Sequence, residues 1–265
     1  MNGIIIAVII VSVIGAVAGI GLSIASVVLE VPQDEKMVAV REVLPGANCG
    51  GCGYSGCDAY AEAVAKGEAA TNLCAPGGAD TVATIAGIMG VEAGEFIEKT
   101  AYVRCNGGCE NTTKKFEYRG VNTCAALSGF LGGDNSCAFG CLGLGDCTKV
   151  CQNQGIIINE KGIAEANPDL CNGCGSCVNI CPRHIIDLVP KSPRHMEVNC
   201  SNTDKGPAAN KACKVACIGC GLCVKQCEFD AIKVENNLAR IDYTKCTLCG
   251  KCAEKCPKKC IELVS

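Results

Sequence analysis

One cysteine spacing, repeated along the second half of the chain, constrains the fold more than any other feature. Cys171-x2-Cys174-x2-Cys177-x3-Cys181 is followed by Pro182, Cys217-x2-Cys220-x2-Cys223-x3-Cys227 by Glu228, and Cys246-x2-Cys249-x2-Cys252-x3-Cys256 by Pro257. Cys137-x3-Cys141-x5-Cys147-x3-Cys151 reads as a looser copy. Nineteen residues separate Cys151 from Cys171 and 18 separate Cys227 from Cys246, so the copies pair, loose with first and second with third. Short β-branched runs fall between them: Ile156–Ile158, Ile185-Ile186, Ala231–Val234, Ala239–Ile241 and Ile261–Val264. Such internal repetition means small supersecondary units rather than one large core. Composition agrees, with 26 Cys and 32 Gly in 265 residues, 4% aromatics and no Trp. Modules this poor in large apolar residues need bound metal to hold them.

The spacing selects iron–sulfur chemistry. A C-x2-C-x2-C loop turns three thiolates toward one [4Fe–4S] cube, and the fourth Cys, a helical turn later, ligates the cube of the paired copy. Zinc ribbons instead close one tetrahedral site with two separated C-x2-C pairs, and a disulfide framework belongs to an oxidising compartment. Cross-ligation therefore predicts four cubes. Their ligands are Cys137, Cys141, Cys147 and Cys181; Cys171, Cys174, Cys177 and Cys151; Cys217, Cys220, Cys223 and Cys256; and Cys246, Cys249, Cys252 and Cys227. Each pair of copies resembles a bacterial two-cluster ferredoxin, which implies small α+β modules over 137–190 and 217–265.

The N-terminal part differs. Ile4 to Leu29 carries no charge over 26 residues, enough to span a bilayer, which needs about 20 apolar residues. A cleaved signal peptide would need a basic leader and a shorter apolar run. Lys36 and Arg41 follow the span and no Lys or Arg precedes it, which favours a cytoplasmic C-terminal part. Gly15 and Gly19 form a small-xxx-small step that admits a neighbouring helix. Helices are expected over 34–44, 58–66, 81–89 and 92–99, with a strand at 116–118. Cys49, Cys52, Cys57 and Cys74 stand on a Gly-rich loop and its sequel, and suit one self-contained [4Fe–4S] cube in a mostly helical domain over 31–100. Residues 1–30 are then a transmembrane anchor, 101–136 a linker and 191–216 an insert.

The stretch Leu44-Pro-Gly-Ala-Asn-Cys-Gly-Gly-Cys-Gly-Tyr-Ser-Gly-Cys-Asp-Ala-Tyr60, with Cys74-Ala-Pro-Gly-Gly78 and the apolar N-terminus, closely resembles the B subunit of Rnf electron-transport complexes, in its longer, cysteine-rich form. The resemblance implies a component of an ion-translocating ferredoxin:NAD oxidoreductase in the cytoplasmic membrane. It would take electrons from soluble ferredoxin and pass them to integral membrane subunits. The resemblance places flavin and nicotinamide chemistry in other subunits; this chain has no Walker A and no nucleophile–base pair, and its G-x-G-x-x-G match, Gly51 to Gly56, is the cysteine-bearing loop itself. A membrane reductase that keeps a redox-sensing regulator reduced, or one that supplies nitrogen fixation, is the alternative.

Six cysteines remain. Cys260 aligns with Ile185 and Ala231, an apolar packing position. Cys105, Cys109, Cys124, Cys200 and Cys213 either are free thiols or contribute four ligands to a sixth cube, with Cys105, Cys124, Cys200 and Cys213 the favoured set and Cys109 competing with Cys105. His184 and His195 read as surface residues, because every cube already has four cysteines. Lys245, Lys251, Lys255, Lys258 and Lys259 crowd the C-terminal motif and suit an acidic electron donor. The formal net charge is −3 with no polybasic tract, so no nucleic-acid partner is expected.

Overall fold

The computed structural model describes residues 2–28, 34–191 and 195–264. Helix α1 (Asn2–Val28) contains a 20-residue run, Ile5–Ile24, of mean hydropathy 2.8, with no part of it buried against the protein. By length and composition it can cross a membrane. Leu29, where the uncharged run ends, and the boundary expected at residue 30 lie outside the described residues.

Three helices follow as the sequence predicts: α2 (Glu35–Val43), α3 (Cys57–Ala65) and α4 (Gly78–Met89). Asp34 caps α2 by accepting from the Lys36 N–H at 2.8 Å, and Gly90, at φ 71°, ends α4 in the left-handed conformation. Val40, Tyr60, Val64 and Ile85 form their common core. The Tyr60 hydroxyl donates to Ala70 O (2.8 Å) and accepts from Leu73 N (3.3 Å), which pins the segment leading to Cys74.

The helix expected over 92–99 is absent. Gly94 packs where a Cβ would lie 2.8 Å from Asn72 Nδ2, and Asn72 donates to the Glu95 carbonyl, so this stretch runs extended into strand β1 (Lys99–Val103). No strand forms at 116–118. Short helices α5 (Gly108–Asn111), α6 (Cys124–Gly129) and α7 (Asp146–Lys149) follow, then the hairpin β2 (Ile156–Ile158) and β3 (Ala164–Ala166), α8 (Ser176–Ile180) and β4 (Ile186–Pro190). β4 pairs antiparallel with β1, Val103 opposite Ile186 and Ala101 opposite Leu188.

The same plan recurs downstream. Strand β5 (His195–Val198) is followed by α9 (Gly206–Ala212), α10 (Leu222–Gln226), the hairpin β6 (Ile232–Glu235) and β7 (Leu238–Ile241), α11 (Lys251–Glu254) and β8 (Ile261–Val264). β8 pairs antiparallel with β5, Val198 opposite Ile261. Each module thus has one hairpin and one outer pair; the outer pair's first strand straddles the boundary drawn at residue 100 in the first module and comes from the 191–216 insert in the second. Among the described residues all four sheets are two-stranded. Two-stranded ribbons are marginal alone, and here each one packs on a cysteine-lined core.

Candidate iron–sulfur centres

Six groups of four thiols emerge, numbered here from the N-terminal domain outward. Site 1 is Cys49, Cys52, Cys57 and Cys74. Asn48 holds its loop closed by accepting from the Cys57 N–H at 2.8 Å, and burial together with the other three sulfurs pushes the Cys74 thiol above its ordinary pKa. Site 2 is Cys151, Cys171, Cys174 and Cys177, which line one hollow. The Ala101 N–H donates to Cys171 Sγ (3.3 Å) and the Gly155 N–H to Cys151 Sγ (3.2 Å).

Site 3 departs from the spacing argument. Its hollow is lined by Cys124, Cys141, Cys147 and Cys181, and Cys137 is not among them. Cys124 opens helix α6, capped by Thr123, and the Ala125 N–H donates to Asp146 Oδ2 (3.1 Å), which fastens α6 to the helix carrying Cys147. Site 4 gathers Cys105, Cys137, Cys200 and Cys213 around another hollow. Asn202 serves two of its sulfurs, donating from Nδ2 to Cys137 Sγ (3.5 Å) and from its backbone N–H to Cys200 Sγ (3.4 Å). So Cys137 and Cys124 exchange places relative to the groups expected from spacing, and Cys109 stays exposed outside both.

A register signal in the sequence explains the exchange. Cys141-x5-Cys147-x3-Cys151 has the outer spacing of Cys217 to Cys227, with Leu144 where that motif has Cys220. Gly143 and Gly145 match Gly219 and Gly221, and all four have positive φ. Cys137 then aligns with Cys213, four residues ahead of each motif, and Cys124 supplies the ligand position lost at Leu144. Likewise Val103-Arg104-Cys105 parallels Val198-Asn199-Cys200: each cysteine follows an outer strand and donates its N–H to the valine carbonyl two residues back, at 2.8 and 2.9 Å.

In the second module, Cys217, Cys220, Cys223 and Cys256 line one hollow, taken as site 5, and Cys246, Cys249 and Cys252 lie near one another, which with Cys227 in the same core make the candidate site 6. Cys220 and Cys249 are exposed. Cys260 is buried, as its alignment with Ile185 and Ala231 predicts, and its thiol meets Cys256 Sγ at 3.6 Å. His195, expected at the surface, is instead buried between Tyr102 and Tyr243, because β5 lies inside the second module's outer pair. His184 is exposed.

The six sites stand in file. A Cβ on Gly51 of site 1 would collide with the Cys174 carbonyl oxygen of site 2. Sites 2 and 3 share the core of the first module. The Cys141 N–H of site 3 donates to Cys105 Sγ of site 4 at 3.4 Å, and the Cys217 N–H of site 5 to Cys200 Sγ of site 4 at 3.3 Å. Sites 5 and 6 share the core of the second module. Among the described residues no three His, Cys, Asp or Glu side chains come close enough to hold a single metal ion. Thiols in fours around a hollow fit a cube with iron at its own corners, not a tetrahedral zinc. Burial pushes the thiols of Cys147, Cys177 and Cys200 up to about 12 and those of Cys141 and Cys223 up to about 11, so iron must displace their protons on binding.

Ferredoxin-type modules with thiols grouped this way define an iron–sulfur electron-transfer protein. Family models match accordingly: an iron–sulfur cluster domain over residues 44–76, a 4Fe-4S binding domain over 164–187 and a 4Fe-4S dicluster domain over 216–261. The chain is 48% identical, over 98% of its length and 78% of the relative's, to the B subunit of the Na(+)-translocating ferredoxin:NAD(+) oxidoreductase complex of Acetobacterium woodii. It is 40% identical, over 100% of its length and 94% of the relative's, to the B subunit of the proton-translocating ferredoxin:NAD(+) oxidoreductase complex of Clostridium ljungdahlii. It is 38% identical, over 94% of each chain, to the B subunit of the ion-translocating oxidoreductase complex of Methanosarcina acetivorans. The chain belongs to the family of B subunits of the ion-translocating (Rnf) oxidoreductase complexes.

Proposed function

We propose that this chain is the membrane-anchored relay of an ion-translocating ferredoxin:NAD oxidoreductase complex, holding six [4Fe–4S] clusters on the six groups of four cysteines. Bound clusters of this type supply one-electron transfer. The chain's own residues fix the order of the sites and hold the modules together. The observation that carries the reading is the pair of backbone bonds on site 4, from Cys141 to Cys105 and from Cys217 to Cys200, which joins the two ferredoxin-type modules through shared ligand segments.

Helix α1 anchors the chain once in the cytoplasmic membrane, with the cysteine domains on the cytoplasmic side. Site 1, next in sequence to the anchor, faces integral membrane subunits, and a peripheral subunit of the complex carries flavin and NAD chemistry. Site 6, at the far end, takes electrons from reduced ferredoxin. Lys245, Lys251, Lys255 and Lys259 are exposed around it, and of these Lys251 is paired with Glu228 at 2.6 Å. They steer an acidic donor over about a Debye length, ~8 Å in physiological salt.

The test is anaerobic iron and sulfide analysis of the purified chain with ferredoxin reduction kinetics. The reading requires about 24 iron atoms per chain, four per cube, and a reduction rate that falls with ionic strength. A zinc-loaded, colourless preparation overturns the reading, and a flat salt profile overturns the docking end. In the assembled complex, Cys49→Ala leaves sites 5 and 6 reducible while halting transfer to the membrane subunits.

A further inference from the structure

Five sulfurs, not four, line the hollow of site 5, because Cys260 joins Cys217, Cys220, Cys223 and Cys256. Cys260 Sγ lies 3.6 Å from Cys256 Sγ, within reach of an S–H···S hydrogen bond. The position four residues after the last ligand is Gly155 at site 2, Ile185 at site 3 and Ala231 at site 6. Gly155 and Ala231 each give the preceding cysteine sulfur a backbone N–H, at 3.2 and 3.4 Å. Cys260 alone among the four brings a side-chain donor. It is 1% exposed, so no water competes for its proton. Hydrogen bonds to ligand sulfurs draw off negative charge and favour the reduced cluster, and burial strengthens them.

We propose that the Cys260 thiol is a tuning donor: it hydrogen-bonds to the sulfur of Cys256 and raises the reduction potential of site 5 above that of its counterpart, site 6. An electron arriving at site 6 is then drawn one step inward, toward site 4. The inference rests on the reading that sites 5 and 6 hold cubes.

The experiment is a potentiometric titration of the full chain, followed by electron paramagnetic resonance and paired with iron analysis, on the wild type, Cys260→Ala, Cys260→Val and Cys260→Ser. Valine fills the space without a donor, so a shift common to alanine and valine is not caused by water entering a hole. The expected result is unchanged iron in all four proteins and a downward shift of one cube's midpoint potential in the alanine and valine variants, with the other potentials unmoved. Serine, which retains a donor, restores most of the wild-type value. Unshifted potentials overturn the proposal, and so does loss of one cube's iron in the valine variant, which would make Cys260 a ligand or a packing residue. Cys223→Ala separates the underlying reading: if it costs no iron, site 5 holds no cube and both fall together.

Discussion

Glu197 has no exposed surface, and its charge is met by Arg104 Nη1 at 2.9 Å and by the Tyr243 hydroxyl, which itself accepts from Arg104 Nη2 at 3.0 Å. Arg104 also reaches Asp187 on β4. Burial works against the Arg104 charge, and Glu197, Tyr243 and Asp187 more than restore it, so its pKa stands above the ordinary value. Arg104→Met strands a buried carboxylate and is expected to destabilise the iron-loaded chain by about 3–5 kcal/mol, whereas adding Glu197→Leu recovers most of that loss. Anaerobic denaturant titration followed by cluster absorbance checks both. His195 belongs to the same neighbourhood, with Nε2 3.8 Å from Glu197 Oε1 and neither ring nitrogen hydrogen-bonded. Burial holds its pKa below the ordinary value, against the pull of Glu197 and with the help of Arg104. The folded chain therefore binds this proton less readily than the unfolded one. The stabilisation is present above about pH 6.5 and is lost as the pH falls below it. His195→Gln should flatten that acid loss in melting curves recorded between neutral and mildly acidic pH; an unchanged slope would remove His195 as its source. Nothing local in Arg194-His195-Met196-Glu197 signals burial, because the compensating Arg104 comes from the other module.

At the scale of elements, the helices α2 to α4 are legible because apolar periodicity, an Asp cap, Pro45 and Gly90 all act within a few residues. The outer strands are not. β1 and β4 lie far apart in sequence, as do β5 and β8, and a five-residue run such as Lys99–Val103 has no period strong enough to declare a partner. Glycines at close approaches are legible only as loop glycines, and the structure gives one of them a specific task. Gly51 lets the loop of site 1 lie against the Cys174 carbonyl of site 2, and a methyl there would overlap that oxygen, against backbone that cannot swing aside. Gly51→Ala should cost about 1–3 kcal/mol of overpacking between the two domains. It should keep its iron and slow transfer between site 1 and the rest. Stopped-flow reduction read at site 1 in the assembled complex checks this, and wild-type rates with intact iron would mean that the contact sets no rate.

For the whole molecule, spacing alone suggests the groupings of sites 1, 2, 5 and 6, since each draws its cysteines from one stretch or from two paired copies. Sites 3 and 4 escape it because their ligands cross module boundaries: Cys124 comes from beyond the repeat, and Cys105, Cys137, Cys200 and Cys213 come from four separate segments. Reading Cys137 as the first ligand of its motif places it one position early, a slip that the Gly143/Gly219 and Gly145/Gly221 matches expose only once Leu144 is recognised as a missing cysteine. The two groupings make opposite predictions for one substitution. If Cys137 belonged with Cys141, Cys137→Ala would damage the same cube as Cys181→Ala. With the sulfurs placed as they are, it damages site 4 and behaves like Cys213→Ala. Both variants should then lose about four of about 24 iron atoms. Ferredoxin should still reduce sites 5 and 6, while sites 1 to 3 stay oxidised because the join between the modules is gone. Cys124→Ala should instead spare site 4 and remove site 3, and Cys109→Ala should remove nothing. Iron analysis sorts the variants by loss, and cluster-resolved spectroscopy after ferredoxin addition tells where along the file the electrons stop. Electrons passing freely through a Cys213→Ala chain would mean that the modules meet by some route other than site 4.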